Sequence, residues 1–344
     1  MPSFIEMLKL KPVKGYLSGH GNNPTTALPE QLVGLELEIE NFDGEHEFGG
    51  FTFTEDGSLR NYGIEAISKP VQVQQVEALL RAFYKHFRIT QENNYSERCS
   101  LHVHMDMQSR TPEELATIFL VYQTVERLLF KFIGHQRDES IFCVPWSQSN
   151  INYNLVMNML IAAGSTVRSW QKYSALNILP MASQGTIEFR HLHGTCDVLL
   201  IMTWINMLCR MVKYGMSNTL EDTKKELLEM NTISNYRGWL ERVFGAEAEH
   251  LLSIRGYEID LERGVIDSKY MLMDKVKVKS GINTLQDYLN EYATPVYPAN
   301  MWATTEYTGS TAATIEQMLN QTGNLVQETT TTLRPALSTI RTRT

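Results

Sequence analysis

No two cysteines in this chain stand at the spacing of a metal knuckle or a redox pair. The four present, Cys99, Cys143, Cys196 and Cys209, include no CxxC motif. That argues against a zinc knuckle or dithiol site and makes a reducing compartment the simplest setting. Long apolar runs are missing too. Met1 to Lys14 mixes apolar and charged residues and lacks the uninterrupted apolar centre of a signal peptide. The most apolar stretch, Val198 to Cys209, is well short of the roughly 20 residues a bilayer requires. Flanked by Asp197, Arg210 and Lys213, it reads as a buried helix, and no membrane span is expected. There is no excess of positive charge: 31 Lys and Arg face 39 Asp and Glu, a formal net charge of −8. This argues against a broad nucleic-acid footprint, although a Mg²⁺-loaded acidic pocket can still receive phosphates. No internal repeat is visible.

What is present is an ordinary globular composition, with 43% hydrophobic and 20% charged residues over 344 positions. That length suggests two domains or one large one with additions. Residues 1–30, punctuated by Gly15, Gly19, Gly21, Pro24 and Pro29, read as an irregular arm. A core over 31–216 follows, beginning with a strand at Val33 to Ile39 whose apolar and acidic residues alternate. Further strands are expected at Gly50 to Thr54, Gly63 to Ser68, Ser100 to Met107 and Thr186 to His191. Helices are expected at Val73 to Phe87, from Thr111 to about Ile133, near Tyr153 to Ala162 and over Asp197 to Met216. Thr111 and Glu114 fit a capping box, with Pro112 in the first turn. Residues 217–295 read as a mainly helical extension with Leu227, Leu228, Trp239, Leu240, Val243 and Phe244 as core candidates. Residues 296–344 read as a Thr-rich extended tail.

Four local patterns carry candidate chemistry. In Gly34-Leu35-Glu36-Leu37-Glu38-Ile39-Glu40 the carboxylates are two apart and share one strand face. They repel one another unless something positive lies among them, and hard cations such as Mg²⁺ or Mn²⁺ prefer such oxygen ligands. The alternative is a solvated strand face. His102-Val103-His104 sets two imidazoles on one face, where they can converge on one ligand. Glu188-Phe189-Arg190 sets a carboxylate beside a guanidinium. That is a simple ion pair, or a metal ligand next to a fork for phosphate oxygens. Glu65 lies on the strand around Gly63 to Ser68. Asp56-Gly57-Ser58 reads equally well as turn chemistry. An antiparallel sheet could gather these faces into one cup.

The ordered series Gly34 to Glu38 (GxExE), Asp56 to Leu59 (DGSL), Gly63 to Pro70, Leu101 to His104 (LHVH), Lys172 to Asn177 and Thr186 to Thr195 resembles the amidoligase family. That family is related to glutamate–cysteine ligase and glutamine synthetase. The similarity covers about residues 33–215. It implies an α+β fold, a glutamine-synthetase-like antiparallel sheet cup flanked by helices, with a mostly helical C-terminal extension. It also implies an ATP- and metal-dependent enzyme that joins a carboxylate to an amine through an acyl phosphate. By motif, Glu36, Glu38, His102 and Glu188 resemble metal ligands, and His104 the companion near the nucleotide phosphates. Arg190 resembles the group on the transferring phosphate, and Glu65 a further metal or amine-side carboxylate. Lys172, Tyr173 and Asn177 are placed at the substrate or nucleotide pocket, with Asp56 and Arg60 towards the substrate. The family often has Gly where Ser100 stands here.

Two other readings are open from sequence. One is a non-catalytic assembly protein on the same fold, docked through arm and tail, for instance in a phage particle. The other is a metal-dependent phosphoryl or nucleotidyl transferase. The implied cofactors are ATP and Mg²⁺ or Mn²⁺, and the implied substrates a small-molecule or peptide carboxylate and amine. Many relatives occur in bacteriophages and bacteria, so the expected location is the cytoplasm, that of the host if phage-encoded, or a virion. The 217–292 segment offers surface for a homo-oligomer.

Overall fold

Alternation between apolar and acidic residues in the first long strand sets the architecture, because each face then has one place to go. The protein's structure, a computed structural model, describes residues 1–17, 26–134, 137–148 and 170–280. Residues Met1–Thr294 form one unit and Pro295–Thr344 another; all described residues lie in the first. Strands β1 (Leu32–Ile39), β2 (Phe51–Glu55), β3 (Ile64–Ser68), β4 (Val71–Gln72), β5 (Ser100–Asp106), β6 (Leu176–Asn177) and β7 (Thr186–His193) form one sheet. Its order is β2-β3-β1-β5-β7-β6, with β4 also paired to β1, and every pairing is antiparallel.

One face of this sheet is the core. Leu35, Leu37, Ile39, Leu101, Val103, Met105, Ile187 and Phe189 are all buried there, each Leu, Ile or Phe contributing about 1.5–3 kcal/mol. They join one hydrophobic cluster with side chains of α2 (Val73–Phe87), α4 (Pro112–Ile133) and α5 (Val198–Ser217). Helix α4 carries the expected capping box: Thr111 Oγ1 accepts from Glu114 N at 3.3 Å, and Thr111 N donates to Glu114 Oε2 at 2.6 Å. Helix α5 is capped by Asp197, whose Oδ1 accepts from Leu199 N and Leu200 N. It is long and apolar enough to cross a membrane, yet Ile201, Trp204, Ile205, Met207 and Leu208 are wholly buried within the fold. It is a core helix, as its flanking charges imply.

Helices α6 (Leu220–Glu229), α7 (Ile233–Phe244), α8 (Ala248–Leu252) and α9 (Tyr257–Ser280) follow. Leu227, Trp239, Leu240, Val243 and Phe244 are buried, and Leu228 partly so. Helix α9 reaches α4 at Gly264, where an added Cβ would lie 1.8 Å from Thr124 O. Only glycine permits that approach.

Two details differ from the sequence expectation. The arm is not wholly irregular: α1 (Phe4–Leu8) has a Ser3–Glu6 capping box and buries Phe4 completely. The glycines and prolines that signalled an arm all lie after it. Strands β4 and β6, absent from the expectation, are two residues long each, too short to leave a periodic trace. The short turn α3 (Gln91–Asn94) completes the α-helices among the described residues. The helix expected near Tyr153 to Ala162 and the Thr-rich tail lie outside the described residues.

Behind the sheet, Glu126 of α4 is completely buried. It accepts from Trp146 N at 2.6 Å, Ser147 N at 3.0 Å and Tyr122 Oη at 2.7 Å. Since Tyr122 gives its proton to Glu126, its oxygen accepts from His191 Nε2 at 2.9 Å. His191 Nδ1 has no partner among the described residues, so the ring is a neutral donor. Burial, with Arg137 nearby, lowers its pKa to about 3. Between about pH 3 and 6.5 the unfolded chain therefore binds a proton that the folded chain refuses, and stability rises with pH. Urea denaturation across that window should show the wild type losing up to about 1.4 kcal/mol per pH unit more than His191→Gln as pH falls. Parallel curves for the two proteins would contradict a neutral buried His191.

Candidate functional site

Strand register brings the sequence-predicted groups together on the face opposite the core. In β1, Glu36 stands beside His102 of β5, and Glu38 beside Glu65 of β3. His104 stands beside Glu188 of β7, and Glu188 beside Asn177 of β6. A register shift between Leu101 and Val103 adjusts β5 against β7. Five strands thus contribute to one row of polar side chains.

The row is tightly interconnected. Glu36 Oε2 lies 3.0 Å from His102 Nδ1, and Glu36 Oε1 lies 2.9 Å from His104 Nε2. His102 Nδ1 is also 3.3 Å from Glu188 Oε1. His104 Nδ1 meets Thr186 Oγ1 at 3.1 Å. On the other side of His102, Ser100 Oγ lies 2.8 Å from Nε2 and donates to Glu38 Oε2 at 2.5 Å. Having given its proton away, Ser100 accepts from His102 Nε2–H. That leaves His102 Nδ1 as the nitrogen aimed at Glu36 and Glu188. Ser100, which in the sequence is notable only as a departure from glycine, thereby orients the ring with Nδ1 towards the carboxylates.

Glu188 is held from both sides. Asn177 Nδ2 donates to its Oε2 at 2.7 Å, and Arg190 forms an ion pair with its Oε1. Arg190 Nε donates to Phe142 O at 2.9 Å, and its guanidinium lies 5.9 Å from the Tyr173 ring. Arg137 donates to Arg190 O and His191 O. Neither Phe142 nor Arg137 had a signal in the sequence, since one acts through its carbonyl and the other through backbone oxygens. Lys172 and Tyr173 are exposed at the mouth. Asp56 lines the cavity while making a turn in which Ser58 N donates to its Oδ1. Arg60 is exposed and does not line the cavity; its backbone N donates to Glu40.

Electrostatics follow from this crowding. Burial would raise the Glu36 pKa, but His102 and His104 outweigh it and hold the carboxyl well below the usual range. Burial would lower His104, but Glu36 and Glu188 raise it instead. Glu65 is raised to about 7, by burial first and then by the charges of Glu36 and Glu38.

The donor set fits a hard divalent cation. Ligand atoms of Glu36, His104 and Glu188 lie within 4.8 Å of one another, as do those of Glu36, Glu65 and His102. His104 Nε2 is buried and makes no well-aligned hydrogen bond among the described residues, despite its closeness to Glu36. An imidazole nitrogen left this way among carboxylates is an available metal donor. Glu38 is drawn instead onto Ser100, beside the second group.

Two cavities meet at this cluster. The larger, about 970 Å³, contains Glu38, Glu65, His102, Glu188 and Arg190. The smaller, about 470 Å³, is lined by Leu32, Ile67, Asp106, Thr186 and residues 11–13. Glu36, His104 and Gln184 belong to both.

Residues 40–212 match the profile of the family described as "Putative amidoligase enzyme". The match begins immediately after β1, so it includes His102, Glu188 and Arg190 but not Glu36 or Glu38. Among solved structures, a crystal structure of a novel glutamine synthase homolog aligns at 12% identity and a TM-score of 0.33. That alignment covers 76% of this chain and 70% of the other, and so slight a likeness assigns nothing. No curated protein matches the chain.

Because Glu188 belongs to the first ligand group, Glu188→Gln should weaken Mn²⁺ binding, read by electron paramagnetic resonance titration, at least tenfold, about 1.4 kcal/mol. An unchanged Mn²⁺ affinity in a folded variant would remove Glu188 from the metal site.

Proposed function

Because the chain belongs to the amidoligase family, we propose that it is an ATP- and metal-dependent ligase that joins a carboxylate to an amine through an acyl phosphate. Membership supports a ligase-type function; the cofactors and the reaction are our reading of the site. The observation that carries it is the row Glu65, Glu38, Glu36, His102, His104, Glu188 on adjacent strands, with Arg190 at its end.

Carboxylate and amine do not condense unaided, because the leaving group is poor. A carboxylate oxygen of the substrate attacks the γ-phosphorus of ATP, and ADP leaves. The amine nitrogen then attacks the acyl carbon, and inorganic phosphate leaves. Bound Mg²⁺ or Mn²⁺ would neutralise phosphate charge; Glu36, His104 and Glu188 would hold one ion, and Glu36, Glu65 and His102 another.

The protein's own groups supply the rest. Arg190 is anchored through Nε to Phe142 O and through Nη1 to Glu188 Oε1, which leaves its Nη2 N–H groups to reach the transferring phosphoryl. Where no second ion is bound, Glu65, raised to about 7, is placed to take a proton from the attacking amine near neutral pH. Lys172 and Tyr173 sit at the entrance of the larger cavity, which suits the carboxylate and amine substrates. The smaller cavity, with mostly apolar walls and one shared edge at Glu36 and His104, suits the nucleoside end of ATP.

No specific observation favours the transferase or assembly readings over this one. Metal-dependent release of ADP, screened across pools of amines and carboxylates, tests all three. The expected result is ADP release that requires both an amine and a carboxylate and disappears in Glu38→Gln. In Arg190→Ala the turnover number should fall by at least about 10², the loss typical of one removed charge-stabilising group. Release of AMP would favour the nucleotidyl transferase, and absence of nucleotide binding the assembly protein.

A further inference from the structure

The family match starts at residue 40, so nothing assigns the N-terminal arm a role. Yet Lys11, Pro12 and Val13 line the smaller cavity. They are fastened there by one buried side chain, Gln108, which is 6% exposed. Its Nε2 donates to Lys11 O and to Gln184 O, each at 3.0 Å, and its Oε1 accepts from Val13 N at 3.2 Å. Its backbone oxygen accepts from Ile5 N at 2.9 Å, at the start of α1. Every polar group of the Gln108 side chain is thus committed to holding the arm against the 183–185 turn.

That turn is built to receive it. Gly185 has φ +76°, and an added Cβ would lie 2.4 Å from Gln108 Cγ and 2.8 Å from Leu10 Cδ1. Only glycine accepts both the conformation and the contact. Farther along the arm, Tyr16 N donates to Pro70 O at 2.7 Å. A Cβ on Gly50 would lie 2.6 Å from the Tyr16 ring. The arm is therefore docked on both sides of residues 11–13, and Gln184, which Gln108 holds, borders both cavities.

We propose that residues 11–13 are the outer wall of the nucleotide chamber, that Gln108 positions them, and that together they set affinity for the nucleoside end of the nucleotide. The proposal rests on the assignment of the smaller cavity to ATP. The wall chemistry suits a flat, neutral heterocycle with a hydroxylated sugar. Pro12, Val13, Leu32 and Ile67 present apolar surface, and Asp106 and Thr186 present hydrogen-bonding groups at the sheet. Gln108 touches no reacting atom; it is a positioning residue.

The test uses the full chain and two probes, MgADP and Mn²⁺. By calorimetry, Gln108→Leu and Val13→Asp should each weaken MgADP at least tenfold and leave Mn²⁺ affinity unchanged, because the metal cluster lies on the sheet. In the wild type, MgADP should slow hydrogen exchange at the amides of residues 11, 13–17 and 184–185. Exchange on the wild type alone decides the matter if either variant fails to fold. Unchanged MgADP affinity in both folded variants, or no protection of the arm, would overturn the proposal while leaving the ligase reading intact. An equal loss of Mn²⁺ affinity would make Gln108 a general structural staple and overturn it as well. Failure of the wild type to bind MgADP would instead bring down the assignment of the cavity to a nucleotide, and the arm's role with it.

Discussion

Glu36 lies within 3.0 Å of two imidazoles, and its carboxylate must remain charged although most of it is withdrawn from water. Two like charges about 4 Å apart repel by about 4 kcal/mol at an effective dielectric constant of 20. The row from Glu65 to Glu188 gathers several carboxylates at such distances. It persists in the fold only because imidazole and guanidinium groups are threaded among them. His104 is pushed towards its protonated form, and Arg190 pairs with Glu188. Protons and a guanidinium here offset the charge that a divalent cation would otherwise neutralise. This arrangement costs stability wherever it is not matched, which is why so many neighbouring groups are fixed by hydrogen bonds.

The supports come from behind and beside the sheet. Glu126 holds the backbone of Trp146 and Ser147, and Arg137 holds the backbone of Arg190 and His191. Between them lies Phe142, whose carbonyl anchors Arg190. The segment on which the guanidinium depends is thus tied to helix α4 at one end and to strand β7 at the other. Ser100 plays the corresponding part for His102, accepting a hydrogen bond from its Nε2 so that Nδ1 faces the carboxylates. Charged ligands are set by the strands, and their orientation by polar contacts from loops.

Much of this is legible in the order of residues alone. Strict alternation in residues 33–39 and 100–107 reveals which side chains share a face, and apolar spacing marks the helix at 73–87. What alternation cannot supply is register, since pairing of Glu36 with His102, and of His104 with Glu188, depends on how distant strands align. The family resemblance implies those meetings, and the sheet displays them. Contacts made by backbone atoms leave no trace in side-chain patterns: Phe142 O, the Lys11 and Gln184 carbonyls, and the Val13 amide. Helix α1 is masked by the glycines and prolines that follow it, although Ser3 and Glu6 form a capping box in plain view.

The central claim is that side chains from separate strands converge to hold a divalent cation at the junction of two chambers. Anomalous scattering from crystals grown with Mn²⁺ measures this directly. The account predicts a peak enclosed by Glu36, His104 and Glu188, with room for a second between Glu36, Glu65 and His102. A well-ordered crystal in saturating Mn²⁺ with no peak at this cluster, or with its only peaks elsewhere on the protein, would contradict it.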